Sequence, residues 1–161
     1  MNTPSDLSLK VYLAGPLFTQ AERRWNRELA RGLAQTLGCE VVLPQDFRVG
    51  NRKNDPRHFA QLFRLCLDGA KDCDALVAIV DGADADSGTA FEMGYAHALG
   101  KPIVAVRTDY RPQQQRGTNL MLARGCDAFV HFLAFNEDMA AVVAEIARKL
   151  KAIMRKRSTL K

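Results

Sequence analysis

Apolar residues recur along the chain in two alternating rhythms. Short runs at Leu9–Ala14, Glu40–Leu43, Ala75–Val80, Pro102–Val106 and Ala128–Val130 are dominated by Val, Leu, Ile and Ala, and they predict five strands. Between them, apolar positions return every three or four residues among charged ones. Trp25, Leu29, Leu33 and Leu37 mark a helix from Thr19 to Leu37, and Phe59, Leu62, Phe63 and Leu67 mark one from Arg57 to Lys71. Met139, Val142, Val143, Ile146 and Leu150 mark a closing helix from Asn136 to Met154. A further helix is expected from near Ser87 to Leu99: Asp86-Ser87-Gly88-Thr89 supplies capping oxygens, and Gly100 with Pro102 supplies the stop. Asn119–Leu122 reads only as a short apolar segment.

Strands that alternate with helices form a parallel sheet covered on both faces. Five of them predict an α/β fold of three layers, flavodoxin-like or Rossmann-like, with strand order 2-1-3-4-5 and a switch point between strands 1 and 3. That topology brings two stretches to one crevice at the carboxyl edge of the sheet: Gly15–Phe18 after strand 1, and Asp81–Glu92 after strand 3. The polar segments Gln45–Pro56 and Asp109–Gly117 are long for connections in a compact domain. They read either as lids and specificity loops or as plain surface excursions.

The 161 residues suit one domain spanning 1–161, and 47% hydrophobic with 25% charged residues is ordinary globular composition. No run of 18 apolar residues occurs, and the polar opening MNTPSDLSLK lacks the apolar segment of a signal peptide, so a cytoplasmic protein without membrane contact is expected. Cys39, Cys66, Cys73 and Cys126 form no CxxC pair, and His58, His97 and His131 show no ligand spacing; reduced thiols and no metal are expected. With no G-x-G-x-x-G after strand 1 and no G-x-x-x-x-G-K-[ST], no cofactor is expected either. The net charge of +5 is misleading until it is located. Seven basic residues lie between Arg148 and Lys161 with no acid among them, and subtracting seven from +5 leaves −2 for the body. A basic tail from about residue 148, without aromatic or motif support, reads as a solvated helix end, so no nucleic-acid partner is expected.

Chemistry concentrates at Glu92. Helical side chains lean toward their own N-terminus, so a carboxylate one turn inside the helix points back to the sheet edge, where the helix dipole favours its charged form. An ionised carboxylate in a cleft can serve as nucleophile or base. The same spacing, Thr89-x-x-Glu92, also fits a capping box with a purely structural role.

Tyr12-Leu13-Ala14-Gly15-Pro16-Leu17-Phe18 together with Asp86-Ser87-Gly88-Thr89-Ala90-Phe91-Glu92-Met93-Gly94-Tyr95-Ala96 resembles the nucleoside 2-deoxyribosyltransferase family, and Asn119-Leu120-Met121 is similar to a segment those enzymes lend to a neighbouring subunit's pocket. The resemblance runs roughly from Lys10 to Val130. It implies an enzyme that moves a 2-deoxyribosyl group between purine or pyrimidine bases, cleaving the N-glycosidic bond through a covalent deoxyribosyl-Glu92 intermediate. It implies nucleosides and free bases as partners and a homo-oligomer, a dimer or a multiple of dimers.

The resemblance also assigns roles, each with a plainer alternative. Asp86 would contact the sugar near its 5′-hydroxyl, or simply cap the helix. Phe18 would pack on the base, or anchor the core. Gly15 would leave room for the ligand, or serve as a turn glycine. Gln45 and Asp46 would contact the base, or lie on the surface. Ser87 and Gly88 would line the pocket beside Asp86, and Asn119 would reach the 5′ end in a neighbouring subunit. Where the family carries an acidic residue near the leaving base, this chain has Cys66. Asp68 is the nearest acid, although two positions along a helix turn it about 200° away. Two other readings stay open: a hydrolase acting on 2′-deoxynucleoside 5′-monophosphates, with Arg23, Arg24 and Ser87 at the phosphate, and a non-catalytic nucleoside-binding module.

Overall fold

A computed structural model describes residues 9–49, 56–109, 118–132 and 138–159. The strands are β1 (Lys10–Ala14), β2 (Glu40–Val42), β3 (Ala75–Ile79), β4 (Ile103–Arg107) and β5 (Ala128–His131). The helices are α1 (Gln20–Leu37), α2 (Pro56–Asp72), α3 (Ser87–Ala98), α4 (Leu120–Gly125) and α5 (Met139–Ser158). All neighbouring strands pair in parallel in the order β2-β1-β3-β4-β5, the predicted order, so the switch point lies between β1 and β3.

β3 and β4 are buried along their whole length, on both faces, which is why they read as apolar runs. On one face, Val11, Leu13, Val77, Ile79, Val104 and Val106 pack with Leu29 and Leu33 of α1 and Val142, Ile146 and Leu150 of α5. On the other, Tyr12, Ala14, Leu76, Ala78, Val80, Ile103 and Ala105 meet Ala70, Cys73, Met93 and Ala96. Full burial of each Leu or Ile contributes about 1.5–3 kcal/mol, so the first face supplies much of the cohesion.

Local chemistry explains the helix boundaries. Thr19 accepts the Glu22 N–H at 3.1 Å while Glu22 accepts the Thr19 N–H at 2.7 Å, a complete capping box, and Gly38 closes α1 in the left-handed region at φ 63°. The closing helix begins later than the apolar pattern suggested, because Asp138 accepts the Ala141 N–H and sets the start, and it continues to Ser158. The basic tail is therefore the last turns of α5. Arg157 there meets Asp127 at 2.9 Å. Asn119–Leu122, left without an element by the sequence, is the head of α4, with Asn119 as its cap. Pro44–Asp46 forms a single 3₁₀ turn after β2.

Residues 50–55 and 110–117, which hold most of the two expected loops, lie outside the described residues, as do the first residues of the expected closing helix. No helix among the described residues is long and apolar enough to cross a membrane. The four cysteines are free thiols.

Candidate active site

The cap of α3 decides what Glu92 is for. Asp86 Oδ2 accepts the Thr89 N–H at 2.8 Å and the Thr89 hydroxyl at 3.1 Å, so the helix begins at Ser87 and Thr89 is spent inside it. Glu92 is thereby released from the alternative of a Thr89-x-x-Glu92 capping box. Its Oε1 instead accepts a hydrogen bond of 2.7 Å from the hydroxyl of Tyr12, on central strand β1. A side chain in the second turn of a helix is thus fixed by a residue 80 positions away, at the switch point of the sheet.

Tyr12 is fully buried, and burial, followed by the charge of Glu92, pushes its phenol far above the ordinary tyrosine value. It stays a donor at any physiological pH. Burial likewise raises the Glu92 carboxyl above the ordinary carboxylate range; the Tyr12 hydrogen bond opposes the rise, the nearby Asp86 charge adds to it, and a hydrogen bond from Cys66 opposes it. The Cys66 thiol is raised by burial and then by the Glu92 charge. A phenol bonded to Glu92 and a neutral thiol near enough to feel its charge therefore stand beside one carboxylate. A carboxylate has two oxygens, so the Tyr12 bond can aim the group without occupying both.

Helix α2 comes close to make this arrangement. A Cβ on Gly69 would lie 2.7 Å from Tyr12 Cε2, so only glycine lets the helix rest on the tyrosine ring. Cys66 lies three residues earlier, on the same side of α2. Asp68 does not join them: it is exposed and turned by the helical period away from Cys66.

The remaining predicted residues divide into two groups. Asp86 is half-buried and near enough for its charge to act on Glu92, so it both caps and belongs to the site; Ser87 and Gly88 follow it, exposed on the first turn of α3. Gly15 and Phe18 lie on the connection after β1. A Cβ on Gly15 would sit 3.0 Å from Ile79 Cδ1, a packing reason for glycine, and Phe18 is 78% exposed rather than a core anchor. Gln45 is not a surface residue. It is buried, its Nε2 donating to the Arg23 carbonyl at 3.1 Å and its Oε1 accepting from Asn26 at 3.2 Å, so its amide joins the turn after β2 to α1. Asp46 is exposed, 4.0 Å from Arg27. Asn119 is exposed, and its Oδ1 accepts the Met121 N–H at 2.8 Å to cap α4.

Sequence reasoning gave Tyr12 and Gly69 no role and offered Arg23 only as a phosphate contact in the hydrolase reading. The signal for Tyr12 was a hydroxyl in a strand otherwise aliphatic and wholly buried, where it needs a partner. Arg23 gave none: its guanidinium reaches the carbonyls of Leu17 and Gln45, bracing the two loops together, a contact visible only in three dimensions. Among the described residues, no group of three or more His, Cys, Asp or Glu is arranged to hold a metal ion.

A desolvated carboxylate held by a phenol suits nucleophilic attack on a sugar carbon. The family model for nucleoside 2-deoxyribosyltransferase matches residues 11–121. A nucleoside deoxyribosyltransferase of Limosilactobacillus fermentum is 31% identical over 134 residues, covering 77% of this chain and 80% of that protein. Among solved structures, a 2-deoxyribosyltransferase from Bacillus psychrosaccharolyticus superposes with a TM-score of 0.64 at 25% identity, over 83% of this chain and 90% of that one. A CMP N-glycosidase from Clostridium botulinum shares the fold, with a TM-score of 0.58 at 19% identity over 85% and 97%. With its motifs and the Tyr12–Glu92 pair inside the matched span, the chain belongs to the nucleoside 2-deoxyribosyltransferase family.

Proposed function

We propose that this protein transfers a 2-deoxyribosyl group between nucleobases, with Glu92 as the nucleophile. The hydrogen bond from Tyr12 to Glu92 at the switch point carries the reading, because a residue needed only as a helix cap would not be bonded to the central strand. A Glu92 oxygen attacks C1′ as the C1′–N bond breaks, the base departing with the electron pair and taking up a proton. A nitrogen of the incoming base then attacks C1′, the ester bond to Glu92 breaks, and the carboxylate returns with the original configuration restored. Positive charge develops on the sugar at both steps. An electron-withdrawing 2′-hydroxyl opposes that charge and crowds the attack, which fits a 2-deoxy preference.

In this reading Asp86 holds the 5′ end of the sugar, with Ser87 and Gly88 beside it, and Phe18 covers the base. Asn119, exposed at the head of α4, serves a neighbouring subunit's pocket in a homo-oligomer. The reading as a non-catalytic nucleoside-binding module has one observation in its favour: Cys66, raised by burial, is a neutral thiol where a base-protonating acid is wanted. Asp86 counts against a nucleotide substrate, since a carboxylate at the 5′ end repels a phosphate dianion.

Incubating the protein with deoxyinosine, with and without adenine, and separately with dCMP or dGMP, distinguishes the readings by product. The expected result is deoxyadenosine and hypoxanthine formed only when adenine is present. Glu92→Ala and Glu92→Gln are expected to remove turnover by at least ~1,000-fold with the fold intact. Turnover retained in both would dismiss Glu92 as nucleophile, and silence of the wild type with every substrate would dismiss the enzyme.

A further inference from the structure

Arg107, the last residue of β4, is the largest fully buried side chain among the described residues, and the reaction outlined above gives it no task. Strand alternation places it on the face of Ile103 and Ala105, which is also the face of Tyr12, one step beyond the row formed by Ala14, Ala78 and Ala105. It therefore lies at the carboxyl edge of the sheet, on the side that carries α3.

A buried guanidinium is tolerated only when paired and hydrogen-bonded. Here Asp109 is its counter-ion: Nε lies 2.6 Å from Oδ1, and Nη2 donates to Oδ2 at 3.1 Å. The same cation also fastens two stretches of chain, the exit of β3 and Thr118. Nη2 donates to the Gly82 carbonyl at 2.8 Å, while Nη1 donates to the Val80 carbonyl at 3.3 Å and to the Thr118 hydroxyl at 3.1 Å. The Gly82 N–H returns to Asp109 at 3.0 Å, and Asp81 accepts the Thr108 hydroxyl at 2.6 Å. The exits of β3 and β4 are laced together around Arg107.

Those two stretches lead to functional positions. The connection from Gly82 ends at Asp86, the cap of the helix that bears Glu92. Gly82 has φ 107°, and a Cβ there would lie 2.8 Å from the Asp84 carbonyl oxygen, so the turn admits little other than glycine. Thr118 directly precedes Asn119, the cap of α4. We propose that Arg107 is a positioning residue that holds the Asp86–Glu92 helix and Asn119 in one fixed relation. The proposal rests on the transferase reading above. In an oligomer where Asn119 serves the adjoining pocket, one guanidinium then acts on its own subunit's site through the β3–α3 connection and on its neighbour's through Thr118.

Arg107→Lys and Thr118→Val in the full chain test it. Lysine keeps the charge beside Asp109 but has no planar fork to reach Val80, Gly82 and Thr118 together. For transfer from deoxyinosine to adenine, Arg107→Lys is expected to raise KM at least ~10-fold with a smaller loss in kcat, and Thr118→Val to raise KM ~3-fold at an unchanged Tm. Amide hydrogen exchange should quicken at both 82–86 and 119–122 in Arg107→Lys, and only at 119–122 in Thr118→Val. Wild-type KM and kcat in both variants, with only a lowered Tm in Arg107→Lys, would reduce Arg107 to a core cation and overturn the proposal. Should Arg107→Lys not fold, a KM unchanged by Thr118→Val overturns it alone. An inactive wild type would defeat the transferase reading instead; exchange that quickens in both segments of Arg107→Lys then upholds the linkage, and exchange confined to one segment defeats it.

Discussion

Beneath α1 and α5 the sheet offers Val11, Leu13, Val77, Ile79, Val104 and Val106, whereas beneath α2 and α3 it offers Tyr12, Ala14, Leu76, Ala78, Ala105 and, at the edge, Arg107. Branched aliphatics on the first face fill space. Alanines on the second let the helices approach, and the space so gained holds a phenol, a thiol, a carboxylate and a guanidinium. One face is built for cohesion and the other for placing polar groups at the carboxyl edge. Damage to the first should therefore appear in stability, and damage to the second in turnover.

The strongest way to break that contrast is Tyr12→Phe. The change removes one hydroxyl and keeps the ring, so the packing against Gly69 survives. A hydrogen bond to a charged acceptor is worth about 1.5–3 kcal/mol, so kcat is expected to fall ~10- to 100-fold. The Tm should move by no more than a few degrees, because relief of the buried phenol offsets the lost bond. Steady-state kinetics alongside thermal unfolding checks both halves; wild-type kcat in Tyr12→Phe would mean that the phenol only fills space.

Two glycines sharpen the same contrast with one added methyl each. On the cohesive face, a Cβ at Gly32 would meet Val143 Cγ2 at 2.6 Å; on the other, a Cβ at Gly69 would meet Tyr12 Cε2 at 2.7 Å. Overpacking costs about 1–3 kcal/mol, and the better helix propensity of Ala returns about 1 kcal/mol, so each variant should lose roughly 1 kcal/mol of stability. Their kinetics should part. Gly32→Ala is expected to leave kcat within ~2-fold, while Gly69→Ala pushes the Tyr12 ring and lowers kcat ~5-fold, since small misplacements near reacting groups cost rate. Equal kinetics in the two variants would show that the faces are not divided in this way.

The division also explains what could be read from the chain. Strand order and helix faces were legible because they depend on apolar rhythm, and both faces obey it. The motif around Asp86 and Glu92 was legible because a cap and a carboxylate sit close in sequence. The partners of those residues were not. Tyr12 and Glu92 are 80 positions apart, and the Arg107–Thr118 bond joins the end of a strand to a segment that had no assigned element. For Gln45 the plainer alternative to a base contact was the surface, the default for a residue in a polar loop. Its burial depends on Arg23 and Asn26 presenting a carbonyl and an amide to receive it, a fact of tertiary placement. The helix at Leu120–Gly125 escaped notice because six residues are too few to show a period.

The gentlest test concerns the cost of keeping a nucleophile ready. Glu92 has a folded-state pKa raised by burial, so the folded protein favours the protonated acid and pays for its charge whenever the pH is high enough to ionise it. For an acid shifted in this direction, the penalty is complete above the folded-state value, shrinks as pH falls through it, and is gone below the ordinary carboxylate value of the unfolded chain. Glu92→Gln removes the charge but keeps an oxygen to accept from Tyr12. The variant should therefore be more thermostable than the wild type at neutral pH, and the difference should close as the pH is lowered past the ordinary carboxylate range. Thermal unfolding of the pair between pH 4 and 8 measures the gap. A gap of the opposite sign, or one that widens toward acid, would mean that Glu92 is stabilised by its surroundings and that the second face is not where the molecule gives up stability for chemistry.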